Sequence, residues 1–326
     1  MLYRCKNNLI PALTDHSHSR IRKWMLIGLV GLCLMLSHLP LMGQATDTAT
    51  IRAAAKQLDF ANSLYLRNLY DMAAKEYEKY VSQFPKDATY EFALLQWGEC
   101  FYNREDYSQA ITIYQRLLAE FPQGERQWTA RLRLGEILFR NGKHSESEKM
   151  LAALLQSGPP ADITEVARYY SGVSLLAQEK YQQAGEILSL QLKDAPQGLF
   201  SSFARLSLGI ALRKINRTEE AVAQWKQVVD KESGSTESKF RNLASEALYR
   251  MAEAYSDLGR QQEAAQTFSR FIREYPDNPL IPAAKYREIW ALYASGNKPE
   301  ARGKAEALLA TASLKETESY RVGLKY

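Results

Sequence analysis

The sequence predicts an all-α chain of about seven stacked helical hairpins, and three observations predict it. Ala73, Ala110, Ser147, Ala184, Ala221, Ala264 and Ala301 follow one another at intervals of 37, 37, 37, 37, 43 and 37 residues. Twelve positions earlier stands a small residue in six of the seven windows: Ala61, Gly98, Gly135, Gly172, Gly209 and Ala252, with Ile289 as the exception. Four positions later stands a large side chain, again in six: Tyr77, Tyr114, Leu151, Leu188, Trp225 and Phe268, with Ala305 as the weak member. A fixed period in this range marks an architecture in which each unit packs on its neighbours instead of on one central core.

The first 45 residues fall outside this register. Arg20, Arg22 and Lys23 precede an uncharged apolar run from Trp24 to Leu36, followed by Pro40 and the small-residue site Gly43-Gln44-Ala45. A basic flank, a short apolar segment and small cleavage residues read as a secretory signal peptide over 1–45, with a mature N-terminus expected at Thr46. The run of about 13 residues is shorter than the ~20 a spanning helix needs. An uncleaved anchor requires Leu39, Leu41 and Met42 to extend it past Pro40. Cys33 follows Leu32 where a lipoprotein signal has a small residue, so it reads as an ordinary leader cysteine.

Removing the leader changes the charge balance. The chain has 42 basic and 37 acidic residues, of which the leader holds five and one, leaving 37 and 36. No broad basic field remains to attract nucleic acid or an anionic membrane, so membrane contact is expected only through the leader or a partner. The leader also takes His16, His18, His38, Cys5 and Cys33, leaving His144 and Cys100. Two residues in different repeats make neither a disulfide nor a zinc site, and neither metal nor cofactor is expected. His144 occupies a slot filled elsewhere by Tyr70, Tyr107 and Tyr181, and Cys100 reads as a small packed hydrophobe.

The repeats lie near 54–86, 91–123, 128–160, 165–197, 202–234, 245–277 and 282–311. In the second, Leu94, Trp97, Gly98 and Phe101 form one helical stripe, and Tyr107, Ala110, Ile111, Tyr114, Leu117 and Leu118 form another. Asn103-Arg104-Glu105-Asp106 breaks the pattern between them, and so short a connection makes the helices antiparallel. Gly98 and Ala110 let the backbones approach; Tyr114 and Trp97 fill the remaining space. Phe84-Pro85, Phe121-Pro122 and Tyr275-Pro276 end their units, because proline cannot continue a helix and drives the residue before it out of helical geometry.

Two irregularities stand out. The six extra residues between Ala221 and Ala264 fall in the polar stretch 230–239, which predicts a longer loop between repeats five and six, either a hinge or a tolerated surface insertion. Beyond the seventh repeat, Tyr320, Gly323, Leu324 and Tyr326 have the pattern of one more first helix, and a terminal helix over 315–326 is expected, either capping the array or opening a further repeat of a longer protein.

The small residue, the Tyr-x-x-Ala of Tyr107 to Ala110, the aromatic four positions later and the closing Phe121-Pro122 resemble the tetratricopeptide repeat, over about 54–311. The three residues beyond the usual period of about 34 resemble the bacterial envelope type, which includes the outer-membrane assembly lipoprotein BamD and the Tol–Pal cell-division coordinator. This chain lacks the lipidated cysteine of the first and the coiled coil of the second. The resemblance implies a right-handed superhelix whose first helices line a concave groove. Transferring those slots residue by residue gives Asn62, Tyr65, Glu99, Tyr102, Asn103, Glu136, Phe139 and Arg140 in the first half. In the second half it gives Tyr169, Arg213, Lys214, Tyr249, Glu253, Asp257, Tyr286, Trp290 and Tyr293. Tyrosine and tryptophan offer large contact area at low conformational-entropy cost, which suits an extended peptide or a helix.

Family members that grip a C-terminal carboxylate carry lysine one turn before the asparagine slot; here that position is Leu58, so no such clamp is expected. No phosphate-cradling loop, metal-ligand cluster or nucleophile–histidine pair is legible, and no enzyme is expected. Paired carboxylates such as Glu99 and Glu136 can face one groove, where a glycosidase-like use is the alternative to the acidic residues common on scaffold surfaces. The resemblance and the leader together imply an exported, periplasmic or membrane-attached scaffold that holds a protein or peptide partner in assembling or coordinating a cell-envelope complex. The alternative is a membrane-anchored accessory of cell-wall or polysaccharide synthesis that binds glycan or a synthase.

Overall fold

The computed structural model describes residues 41–310, and every regular element among them is an α-helix. The helices come in pairs: α1 (Leu41–Leu66) with α2 (Tyr70–Gln83), α3 (Tyr90–Asn103) with α4 (Tyr107–Glu120), and α5 (Gln127–Arg140) with α6 (His144–Gln156). Then follow α7 (Ala161–Ala177) with α8 (Tyr181–Asp194), α9 (Ser201–Lys214) with α10 (Thr218–Glu232), α11 (Ser238–Asp257) with α12 (Gln261–Glu274), and α13 (Ile281–Ala294) with α14 (Lys298–Ala310). The signal-peptide reading lies almost wholly, and the terminal-helix reading wholly, outside the described residues. No described helix is long and apolar enough to cross a membrane.

The chain divides within α7 into two compact units, one ending at Ala167 and the other beginning at Arg168. In the first, each of α1 to α6 packs on the next in sequence; in the second, α8 to α14 do the same, and α9 also touches α11. That is the contact pattern of hairpins that nest side by side, the first helix of one against the second helix of the one before.

The register residues explain the nesting. A Cβ added to Gly98 would lie 2.5 Å from the Tyr114 ring, and one on Gly135 would lie 2.5 Å from Leu151. In the second unit the same construction puts Gly172 at 2.6 Å from Leu188 and Gly209 at 2.3 Å from Trp225. Each partner is the large residue four positions after the register residue, so small and large face each other across every one of these crossings. Trp225, Tyr114, Leu151 and Leu188 are wholly buried there.

Each hairpin turns on one residue with left-handed backbone: Asn68, Glu105, Gly142, Glu179, Asn216, Gly259 and Gly296, with φ between 59 and 89°. All stand five positions before the register residue. Glycine and asparagine tolerate this geometry; Glu105 and Glu179 adopt it against their preference, held by the helices on either side. At the other end of the hairpins, Phe84, Phe121 and Tyr275 carry φ of −125, −130 and −129° and close α2, α4 and α12 ahead of their prolines. Their rings pack on Tyr80, Tyr90 and Phe271.

The expected long loop between repeats five and six is not there. Residues 233–237 connect α10 to α11, no longer than the other connections, and the extra residues lengthen α11 to 20. Burial overrides the polar composition: Leu243, Ala244, Ala247 and Leu248 recur at helical spacing and are buried, and Phe240 packs on Phe203. A helix that buries one face is stabilised by that contact more than it is weakened by serines on the other.

One core position breaks the pattern. Seven residues after the register residue stand Tyr80, Leu117, Leu154, Val228 and Phe271, all buried, but in α8 the residue is Gln191. Gln191 is equally buried, and neither Oε1 nor Nε2 has a hydrogen-bond partner. An unpaired buried amide costs about 1–3 kcal/mol. Gln191→Leu is expected to raise the stability of the second unit by about that amount, read as a higher urea midpoint and slower amide exchange in α8. Unchanged stability would show the amide to be solvated.

Candidate functional site

The first helices α1, α3 and α5 touch through the residues singled out for a groove. Asn103 Nδ2 donates to Tyr65 Oη at 3.0 Å, linking α3 to α1. Between α3 and α5 lies Arg133, whose guanidinium grips Glu99 with two bonds, Nε to Oε1 at 2.8 Å and Nη2 to Oε2 at 2.7 Å. Its Nη1 reaches Glu136 Oε2 at 2.8 Å, and the Tyr102 ring lies 4.3 Å from the guanidinium carbon. Tyr114 Oη donates to Glu99 at 2.6 Å and Tyr102 Oη to Glu136 at 3.0 Å. All three charged side chains are buried. Burial opposes the charge on Arg133, but Glu99 and Glu136 outweigh it and hold the guanidinium protonated well above its ordinary range. Burial, with Glu136 adding to it, pushes the Tyr102 hydroxyl up, so it stays a donor.

Six of the proposed groove residues are therefore not open to a partner. Tyr65, Glu99, Tyr102 and Glu136 are buried in the first unit, and Tyr169 and Tyr249 in the second. The physical reason is that adjacent first helices pack closely enough for residues at these slots to meet the neighbouring helix before they meet solvent. Glu99 and Glu136 share one cation and are covered, so they are not a pair of free carboxylates for acid–base chemistry. Asn62, Asn103, Phe139 and Arg140 remain half-buried at this face. Asn62 is itself engaged, accepting from Tyr77 Oη at 2.7 Å.

The second unit repeats the design more openly. Arg213 of α9 bonds Asp257 Oδ2 through Nη2 at 2.6 Å and Glu253 Oε2 through Nη1 at 3.1 Å, both on α11. Arg287 of α13 bonds Glu253 Oε1 at 3.0 Å from the other side. Burial works against Arg213, but Asp257 and Glu253 together raise its pKa. Lys214 and Asp257 are exposed, Tyr286 is half-buried, and Trp290 and Tyr293 are exposed and stacked with ring centroids 6.3 Å apart. Tyr169 packs instead into a ring cluster with Tyr170, Phe200 and Phe203.

Glu99–Arg133 and Glu253–Arg287 are the same contact in two units: each pair is separated by 34 residues and joins a first helix to the next. Sequence reasoning missed both arginines. The usable signal was Arg133 three residues before Glu136, which puts cation and acid on one face of one helix. His144 sits where the tyrosines do: Phe139–His144 centroids are 5.1 Å apart, against 5.4 Å for Tyr65–Tyr70 and 5.9 Å for Tyr102–Tyr107. Cys100 is wholly buried and its thiol is pushed up by that burial.

Comparison with known proteins identifies the repeat. Tetratricopeptide-repeat profiles match residues 58–125 and 95–162, and again 246–278. These segments of the chain are tetratricopeptide repeats. No curated protein matches it in sequence. Among solved structures, a tetratricopeptide-repeat protein from Parabacteroides merdae superposes with a TM-score of 0.55 at 13% identity, over 84% of this chain and 98% of that one. Pseudomonas aeruginosa PilF gives 0.54 at 15% identity, over 71% and 95%. PilW, described as a type IV pilus biogenesis factor, gives 0.52 at 17% identity, over 73% and 100%. At these identities the likeness is one of fold. Tetratricopeptide-repeat domains bind protein or peptide partners, and proteins built from them are in general scaffolds.

Proposed function

We propose that this protein is an exported scaffold whose first-helix face holds a protein partner in assembling or coordinating a cell-envelope complex. The observation that carries the reading is the preorganised face of the second unit. The Arg213–Glu253–Asp257–Arg287 network fixes three neighbouring first helices and leaves Lys214 exposed beside it. A face whose charges are already paired loses little entropy when an extended segment lies along it. Export rests on the leader, with its basic flank, apolar run and small-residue site. An envelope task is in keeping with the fold's use in PilW, described as a pilus biogenesis factor, and with the bacterial envelope type that the repeat length resembles. On this reading the protein works by binding and not by catalysis.

The test is capture from an envelope extract with wild-type protein and with Lys214→Glu. The Lys214 side chain is exposed and lies outside the ion-pair network, so the substitution is expected to leave the fold intact and to reduce capture of a protein partner at least tenfold. Equal capture by both forms contradicts the reading. Retention of glycan in place of any protein favours the polysaccharide-accessory alternative. A mature N-terminus at Thr46 supports export.

A further inference from the structure

The turn of the first hairpin carries large apolar residues where every other hairpin is polar or small. Leu69, four positions before its register residue, corresponds to Asp106, Lys143, Lys180, Arg217, Arg260 and Asn297. Met72, one before, corresponds to glutamine or glutamate in all six. Leu66, seven before, corresponds to Asn103, Arg140, Lys214 and Asp257, and to alanine in the remaining two. Leu66, Leu69 and Met72 are 61%, 36% and 52% exposed, so the core does not call for them. Leu69 even displaces a useful group. Asp106 caps α4 by accepting from Gln109 N at 3.4 Å, while α2 has no such side-chain cap.

The backbone holds the three residues in one braced turn. Leu69 N donates to Leu64 O at 3.0 Å, and Met72 N donates to Leu69 O at 3.1 Å. Tyr70 Oη donates to Asn68 Oδ1 at 2.8 Å, and its ring meets Tyr65 edge-on. Arg67 and Lys75 flank the apolar residues, exposed and in no ion pair with another described residue. The acid between them, Asp71, is taken by Arg104 of the next hairpin at 2.9 Å. The turn thus offers three apolar side chains with two uncompensated cations beside them.

We infer that this turn dips into the surface of a bilayer that contains anionic lipid. Three side chains on a turn fall far short of the roughly 800 Å² a side that a stable protein interface buries. They suit the boundary between headgroups and acyl chains, where apolar tips are buried and neighbouring lysine and arginine meet lipid phosphates. The nearly balanced charge of the chain after residue 45 does not announce this contact, because it involves two cations in one turn. The contact belongs to the first unit and is independent of the partner face on the second.

An apolar fluorescent residue at position 72 of the full chain tests this, with vesicles of phosphatidylcholine and phosphatidylglycerol that carry doxyl-labelled acyl chains. Quenching reports the depth of that one position, so attachment through the leader does not produce it. The result expected is strong quenching at position 72 and none at position 226, which is exposed on α10. Leu66→Asn/Leu69→Asn leaves the charge unchanged and is expected to reduce the quenching at least fivefold. Asn103 and Asn297 fill these slots in other hairpins, so this variant is expected to fold as wild type does, with circular dichroism as the check. Arg67→Gln/Lys75→Gln is expected to reduce quenching at least threefold, as is omitting phosphatidylglycerol. No quenching at 72, equal quenching at 226, or quenching that survives the asparagine substitutions overturns the proposal. Quenching that is equal on phosphatidylcholine alone overturns the role of anionic lipid. A fluorescence change at 72 produced by lipid-free envelope proteins and not by vesicles assigns the turn to a protein, and overturns it too. None of these outcomes bears on whether Lys214 meets a partner.

Discussion

Arg133→Met is expected to destabilise the first unit by about 3–5 kcal/mol, the usual cost of removing one partner from a buried ionic cluster. The magnitude follows from what is left behind. Arg133 supplies two bonds to Glu99 and one to Glu136, so its loss strands two carboxylates between α3 and α5 with only tyrosine hydroxyls as donors. A urea midpoint lower by more than about 1 M checks it, as does faster amide exchange confined to α3 and α5. The triple replacement Glu99→Leu/Arg133→Met/Glu136→Leu is expected to recover most of the loss, because apolar groups of similar size need no desolvation. A single substitution that costs less than about 1 kcal/mol shows the cluster to be hydrated and the helices to be further apart than described.

Gly98→Leu is expected to cost roughly 3 kcal/mol or more, since extra methylenes in a filled core cost about 1–3 kcal/mol and here even the Cβ has no room. Tyr114 cannot step aside: it is wholly buried and its hydroxyl is fixed on Glu99. Leucine's better helix propensity returns no more than about 1 kcal/mol. Tyr114→Ala alone opens a cavity at a cost of about 3–5 kcal/mol. Combining the two exchanges the small and the large side of the crossing, and the double variant is expected to be less unstable than the sum by about 1–3 kcal/mol. Additivity within about 0.5 kcal/mol would mean that residues 98 and 114 do not meet.

Much of this fold was legible in the sequence because its rules are local and repeated. Gly98, Gly135, Gly172 and Gly209 announced the crossings, and each meets the large residue that the spacing assigned to it. The stretch 230–239 misled because serine, glycine and charge describe a surface without saying what the surface is; the outer side of α11 is polar while Leu243 and Leu248 hold its inner side. The site was harder to read for a related reason. Whether Tyr102 or Glu136 faces a partner depends on how closely α3 and α5 approach, a distance set by residues 34 positions apart. A single-helix pattern identifies the face but not its depth. Arg133, which closes that gap, had no counterpart among the slots carried over from the family.

The claim that the first helices carry the partner is tested most directly by site-specific photo-crosslinking in intact envelopes. A photoreactive residue replaces either Lys214 at the end of α9 or Lys226 on the exposed side of α10, both open to solvent and twelve residues apart. The account expects a discrete protein adduct from position 214 and none from 226. An adduct from 226 alone, or equally from both, places the partner on the second helices and contradicts it.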